Sequence, residues 1–387
     1  MKTKTKTKMN LKTIMASIVT ISTLVACQPQ GGSQQDLSDL QGNLLENMTL
    51  EAGKTYKLSG GCHVKAGVTL TIEEGVTILA VDDNTPDYIL IEQGAKIMAE
   101  GTATNPIVMT SESKVSGAWG GLHICGKAPI NVSTGNSEIG NAAYGGTNIN
   151  DNSGVVKYVR IEYTGYSLDE ETESNGLTLY GVGKGTEIAY VQCYIGKDDG
   201  VEFFGGTVDV NHIIVSGCGD DSYDWTQGWC GKGEYLIADQ TADPLNGDCL
   251  IEADNNSKTP DATPISHPIL SKLTLIGHTK EGDKGIRLRA GTHVDIKDAL
   301  VIGKTKSLTV ETTQTETSLK EGVSILRNVI GSGAFSSKEG IYTETLFTAD
   351  NKVSQDLGSI IAWVGTLNGA GAIIDDATDW TIGWSKK

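Results

Sequence analysis

The chain has 387 residues, 38% of them hydrophobic, with 48 glycines, 6% aromatics and a formal charge of −17 at pH 7. This length supports a substantial core in one to three domains, and the glycine-rich, aromatic-poor balance predicts a turn-rich β protein. The acidity argues against nucleic acid or an anionic membrane surface as partner, since both need basic protein surface.

Residues 1–26 read as a lipoprotein signal peptide. Lys2, Lys4, Lys6, Lys8 and Lys12 form a basic segment, and the apolar run Ile14 to Val25 is too short for a stable transmembrane helix. Leu24-Val25-Ala26-Cys27 has the small-residue-then-cysteine pattern of a lipobox, which makes Cys27 the expected site of diacylation by palmitate-type chains. Cleavage there removes five lysines and takes the formal charge to −17 − 5 = −22. Residues 27–45 contain QPQGGSQQDLSDL and read as a flexible lipidated tether. The expected location is the bacterial outer membrane, held by lipid at the cell surface, with the periplasmic face as the alternative.

Cys62, Cys125, Cys193, Cys218, Cys230 and Cys249 remain. An even number in an exported chain permits up to three disulfides, and buried thiols fit the pattern equally well. No CxxC spacing points to zinc.

Beyond the tether, short apolar-alternating runs end in Gly or Asp. LTIEEGVTIL (70–79) recurs as ILIEQGAKIM (89–98), which sets Glu73 over Glu92 and Gly75 over Gly94. A second series reads VKYVRIEYTG (156–165), IAYVQCYIGKDD (188–199) and VNHIIVSGCGDD (210–221). Each unit alone buries too little to be stable, so the units must stack coil on coil. The expected fold is all-β, a single-stranded right-handed parallel β-helix of pectin-lyase-like type over residues 46–387. The segments near 128–153 and 231–270 depart from the repeat and are expected to emerge as loop insertions. A propeller or sandwich is disfavoured because tight two-residue hairpin turns are lacking.

Two phrases concentrate acid: IGKDDGVEFFGG (195–206) with Asp198, Asp199 and Glu202, and GCGDDSYDWTQG (217–228) with Asp220, Asp221 and Asp224. A 22-residue register puts Val201 over Tyr223, Glu202 over Asp224 and Phe203 over Trp225. GDCLIEAD (247–254) fits as a third layer that brings Asp248 and Glu252 into the columns, and GDKGIRLR (282–289) as a fourth with Asp283 and Arg287. Alternation sends Val201, Phe203, Tyr223 and Trp225 into the core and Glu202, Phe204 and Asp224 to the opposite face. Carboxylates about 4.8 Å apart on neighbouring strands repel. Arg287 can close the ladder, calcium can bridge it, or one acid can stay protonated. The alternative is a solvated repeat edge whose aspartates cap turns.

Asp220, Asp221, Gly277, His278 and Arg287 resemble the order of active-site residues in polygalacturonase-type hydrolases. Thr279 stands where that pattern has a second glycine, Leu288 where it has lysine, and His278 and Arg287 are only nine residues apart. A lyase would need Arg287 or Arg289 as base above bound calcium. His63, His123, His212, His267, His278 and His293 show no ligand spacing. GVGKGT (181–186) precedes a strand and reads as a turn, not a phosphate loop. Tyr180, Phe204 and Trp229 are the aromatics available to stack on sugars, and ordinary packing is the competing role. With Asp248, Glu252 and Arg287 they make up the candidate binding set.

WGGLHICGKAPIN (119–131), YGGTNINDNSGVVKYVRIEY (144–163), NGLTLYGVGKGTEIAYVQ (175–192), DDGVEFFGGTVDVNH (199–212) and the closing DWTIGWSKK (379–387) together resemble a family of β-helix lipoproteins and secreted proteins of Bacteroidetes-type bacteria. The resemblance implies a right-handed parallel β-helix at the cell envelope and carries no activity with it. Glycan capture is the function expected by analogy with other lipoproteins of such bacteria. A polysaccharide lyase or glycoside hydrolase, and a structural subunit docking on an outer-membrane protein through 128–153 or 231–270, are the alternatives.

Overall fold

A computed structural model describes residues 40–83, 85–167, 174–242, 247–278, 284–360 and 363–387. Cys27, the signal segment and Asp283 lie outside the described residues. Among the described residues, twenty-three strands join one hydrogen-bonded array, and every pairing within it is parallel. Each coil carries a strand from face to face, and the chain climbs by one strand spacing per turn. The molecule is a parallel β-helix.

The first face is built from the end of Thr55–Val64, then Tyr88–Ile91, Leu122–Cys125, Leu177–Tyr180, Val201–Phe204, Tyr223–Thr226, Ile251–Ala253, Lys284–Leu288, Lys306–Val310 and Ala334–Ser337. In the early coils two further faces are separate: Thr69–Ile72 stacks on Lys96–Glu100, and Thr77–Ala80 on Ile107–Ser111. Strand Gly154–Glu162 then pairs with both, through residues 154–157 and 159–161. Tyr158 between them is left-handed, with φ 50°. One such residue reverses the pleat and turns the corner without a loop. The later coils repeat it in register at Tyr190, His212, Tyr235, Lys272, Asp298 and Asn328. Their side chains therefore stack, with ring centroids 4.4, 4.4 and 4.6 Å apart from Tyr158 to Tyr190, His212 and Tyr235.

The register in the acidic half of the chain is the one read from the sequence. Val156 pairs with Ile188 and Ile188 with Val210. Val201, Phe203, Tyr223 and Trp225 point into the main core. The earlier 19-residue repeat misleads. Leu70 stacks on Ile97, whereas Ile89 stacks on Cys62, so LTIEEGVTIL and ILIEQGAKIM occupy different corners of the coil. Strand–turn–strand text recurs within a coil as well as between coils.

Two boundaries also move. The β-helix begins inside the expected tether, at strand Leu40–Leu44, which pairs with Thr55–Val64. The segment 231–270 holds regular coil, because Lys232–Asp239 pairs with both Val210–Ser216 and Ile269–Ile276. The 128–153 insertion does leave the repeat, and carries an antiparallel pair, Gly135–Asn136 with Ala143–Tyr144. Cys62, Cys125, Cys193, Cys218, Cys230 and Cys249 are all free thiols, five of them buried.

Candidate functional site: an acidic column under an inserted loop

Side chains pointing outward from the first face form a column. Pairing runs Leu90, His123, Thr178, Glu202, Asp224, Glu252, Arg287, Thr309. The corner just before these strands carries Asp198 and Asp199 in one coil and Asp220 and Asp221 in the next. Asp199 Oδ1 accepts from the Asp221 N–H at 2.9 Å, and Asp221 Oδ1 accepts from the Cys249 N–H at 2.6 Å. These aspartates tie each coil to the following one. Turn capping therefore operates between coils.

The alternative of a solvated edge does not describe Asp199, Glu202 and Asp221, which are only 7%, 9% and 6% exposed. Glu202 Oε2 accepts from Asn175 Nδ2 at 2.6 Å. The inserted loop and the stacked coils exclude water from carboxylates that sequence alternation places on an outer surface. Burial, reinforced by neighbouring acids, pushes the carboxyls of Asp199, Glu202, Asp221 and Asp224 well above their ordinary range. Among the described residues no lysine or arginine forms an ion pair with these four.

Arginine closes the column at its far end, as the register predicts. Arg287 Nη1 lies 2.6 Å from Glu252 Oε1 and Nε lies 3.1 Å from Glu311 Oε1. Arg289 reaches Glu252 Oε2 and Asp254 Oδ1, both at 2.6 Å. Both guanidiniums are thus engaged by carboxylates, which leaves neither poised as a base.

Four overlapping triads hold their donor atoms within 4.8 Å of one another: Asp198, Asp199 and Asp220; Asp199, Glu202 and Asp224; Asp221, Asp224 and Glu252; and Asp221, Asp248 and Cys249. All six acids expected to ligate a cation fall in this set, as do Asp248 and Glu252. Asp224 belongs to two triads, and its Oδ1 is shielded from solvent with no hydrogen-bond partner. Three of the triads offer only carboxylate oxygen, a donor set suited to a hard cation such as calcium. The thiol of Cys249 is pushed far up by burial and nearby acids, so it is a poor ligand.

The residues of the hydrolase-like set are spread over several coils. His278 follows strand Ile269–Ile276, two coils beyond the strand preceding Asp220 and Asp221. The coil carrying Asp248 and Cys249 lies between, with the Asp248 N–H donating to Asp220 O. Tyr180, Phe204 and Trp229 are 0%, 8% and 1% exposed, which corrects their reading as open sugar platforms. Trp229 stacks on Phe203 at 3.8 Å inside the core. Tyr180 and Phe204 stack at 4.8 Å beneath Tyr144 of the inserted loop.

That loop also supplies Glu138, which sequence reasoning missed. Its Oε2 accepts from Tyr180 Oη at 3.1 Å, and its charge acts on Glu202. A lone glutamate in a non-repeating loop gives no periodic signal. A further network was equally unmarked: His63 bridges Glu92 Oε1 at 3.0 Å and Tyr88 Oη at 2.8 Å between neighbouring coils.

Residues 42–385 match the family described as a pectate-lyase like beta helix domain. No curated protein and no solved structure matches the chain. With nearly its whole described length wound into parallel coils and covered by that match, the chain belongs to the pectate-lyase-like β-helix domain family.

Proposed function

We propose that this protein is a lipid-anchored β-helix of the bacterial cell surface that binds a glycan through a calcium-loaded acidic column. The observation that carries the reading is Asp224. It sits in two carboxylate triads, with one oxygen shielded from water and no hydrogen-bond partner. Like charges this close need a counter-charge or a proton, and calcium accepts six to eight oxygen ligands. The corner triad Asp198, Asp199 and Asp220 includes an exposed member, so sugar hydroxyls or carboxylates can complete that ion's shell. The engagement of Arg287 and Arg289 by acids favours binding over lyase chemistry. Lipid anchoring rests on the lipobox ending at Cys27.

Calcium titration by calorimetry, followed by polysaccharide retention with and without chelator, tests the column. Wild type is expected to bind calcium and lose glycan on chelation, and Asp220→Asn with Asp224→Asn to lose both. Absence of calcium binding rejects the site. Turnover of an acidic polysaccharide, abolished by Asp220→Asn, would replace binding with catalysis. Incorporation of an azido-palmitate analogue into wild type but not Cys27→Ser tests the anchor.

A further inference from the structure

A separate cavity of about 250 Å³ lies at the opposite end of the first-face strands from the Asp199–Asp221 corner. Its walls come from four consecutive coils and the inserted loop. Lys184 follows strand Leu177–Tyr180, Asp209 follows Val201–Phe204, Lys232 opens Lys232–Asp239 in the next coil, and Ile269 opens Ile269–Ile276 in the one after. Ile149 of the insertion and Ile269 are 47% and 42% exposed there, in a chain whose other isoleucines are mostly buried.

The polar groups divide into committed and uncommitted sets. Thr207 Oγ1 donates to Ile149 O at 2.7 Å and accepts from the Lys184 N–H at 3.2 Å, which ties the loop to the coil. Asp209 Oδ1 accepts from the Lys232 N–H at 2.8 Å. The ammonium groups of Lys184 and Lys232 make no ion pair or hydrogen bond among the described residues. Two unpaired cations beside two exposed isoleucines are unexpected in a chain of net charge −17.

We propose that this cavity is a subsite for a singly anionic sugar ring, a uronate-type unit with vicinal hydroxyls. The proposal rests on the glycan-binding reading and adds to it a second contact on another edge. The two ammoniums meet one carboxylate, and the isoleucine side chains meet the C–H face of the ring. Asp209 sets the class of ligand. Its second oxygen accepts from sugar hydroxyls, while its charge repels phosphate or a run of acidic residues in a peptide. The volume lies below the roughly 300–1,000 Å³ of drug-sized pockets, which fits one ring.

The test is calorimetry and saturation-transfer NMR on the full mature chain. The probes are a short uronate oligomer, its neutral hexose counterpart and a poly-glutamate peptide. The uronate is expected to bind at least tenfold more tightly than the neutral sugar. The Lys184→Ala/Lys232→Ala double variant is expected to lose tenfold or more with unchanged melting temperature, since both lysines are exposed. Chelation should leave this short-oligomer binding intact. No uronate binding, an unaffected double variant, or poly-glutamate binding as tightly as uronate overturns the proposal. Failure of the calcium column shows separately, as polysaccharide retention that ignores both chelator and Asp220→Asn.

Discussion

Asp199 in one coil accepts a hydrogen bond from the backbone of Asp221, 22 residues on, and Asp221 repeats the contact to Cys249. The side chain does two jobs: one oxygen joins the coils, and the negative charge faces its like-charged neighbours. Substitution separates them. Asp221→Asn keeps the acceptor and removes charge, so without calcium its melting temperature should equal or exceed that of wild type. Asp221→Ala leaves the Cys249 N–H unmatched and should cost about 1–3 kcal/mol by denaturant unfolding. With calcium present, both variants should lose the metal-dependent rise in melting temperature.

Asp87 offers a pH prediction away from the column. It is fully buried, and its Oδ1 accepts from the Gly60 N–H at 2.5 Å while Oδ2 has no partner. Burial raises its pKa from 3.8 to about 7, and Asp83 and Glu112 add to the rise against the Gly60 hydrogen bond. The folded state therefore holds the proton more tightly than the unfolded one. The associated stability is fully present below pH 4 and is lost as pH rises through about 7. Unfolding free energies measured from pH 4 to 8 should fall across that window, and Asp87→Asn should flatten the slope.

The acidic half of the fold was legible because its strand text recurs, even though its coils lengthen from 22 to 28 to 35 residues between Glu202, Asp224, Glu252 and Arg287. A 22-residue register placed Glu202 on Asp224, and the same strand text carried the column through Glu252 to Arg287. Burial was not legible, because alternation assigns a face without showing what covers it. The loop bearing Glu138 and Tyr144 roofs Tyr180 and Phe204, and no repeat marks where a loop folds back. The left-handed column from Tyr158 to Asn328 was hidden for a different reason. Tyr, His, Lys, Asp and Asn share that backbone conformation through stacking, not through any common side-chain chemistry.

Glu316 should anchor the last coils. It is fully buried on helix Thr313–Lys320, and its carboxylate accepts from the N–H groups of Glu339, Ile341 and Tyr342 at 2.8, 2.6 and 3.0 Å, and from Ser337 Oγ at 2.8 Å. Burial opposes ionisation, but these donors outweigh it and hold the pKa below 4.5. The stabilisation is present above the unfolded value near 4.5 and is lost as pH falls through the lower folded value. Glu316→Ala strands three backbone donors and should cost about 3 kcal/mol or more, read as a lower denaturant midpoint. Glu316→Gln should recover part of that and weaken the acid-side fall.

The C-terminal residues should act as a clasp running back along the solenoid. The chain end returns to the coils of Gly154–Glu162 and Glu187–Tyr194: Arg160 donates to Trp384 O at 2.9 Å, and Lys386 reaches Glu162 at 3.0 Å. Gln192 pairs with the Lys386 backbone in both directions, at 2.7 and 2.8 Å. Trp384 is fully buried beside the Tyr158–Tyr190 stack, so its indole seals the corner that the left-handed residues create. Trp384→Ala opens a cavity there and should cost about 3–5 kcal/mol. Deletion of residues 379–387 should cost more and expose Tyr158, Tyr190 and His212 to solvent. Hydrogen exchange distinguishes a clasp from a passive tail: protection should fall in strands 154–162 and 187–194, distant in sequence from the deletion, while Lys306–Val310 keeps its own. Loss of protection confined to the final residues would show that the tail rests on the solenoid without holding it.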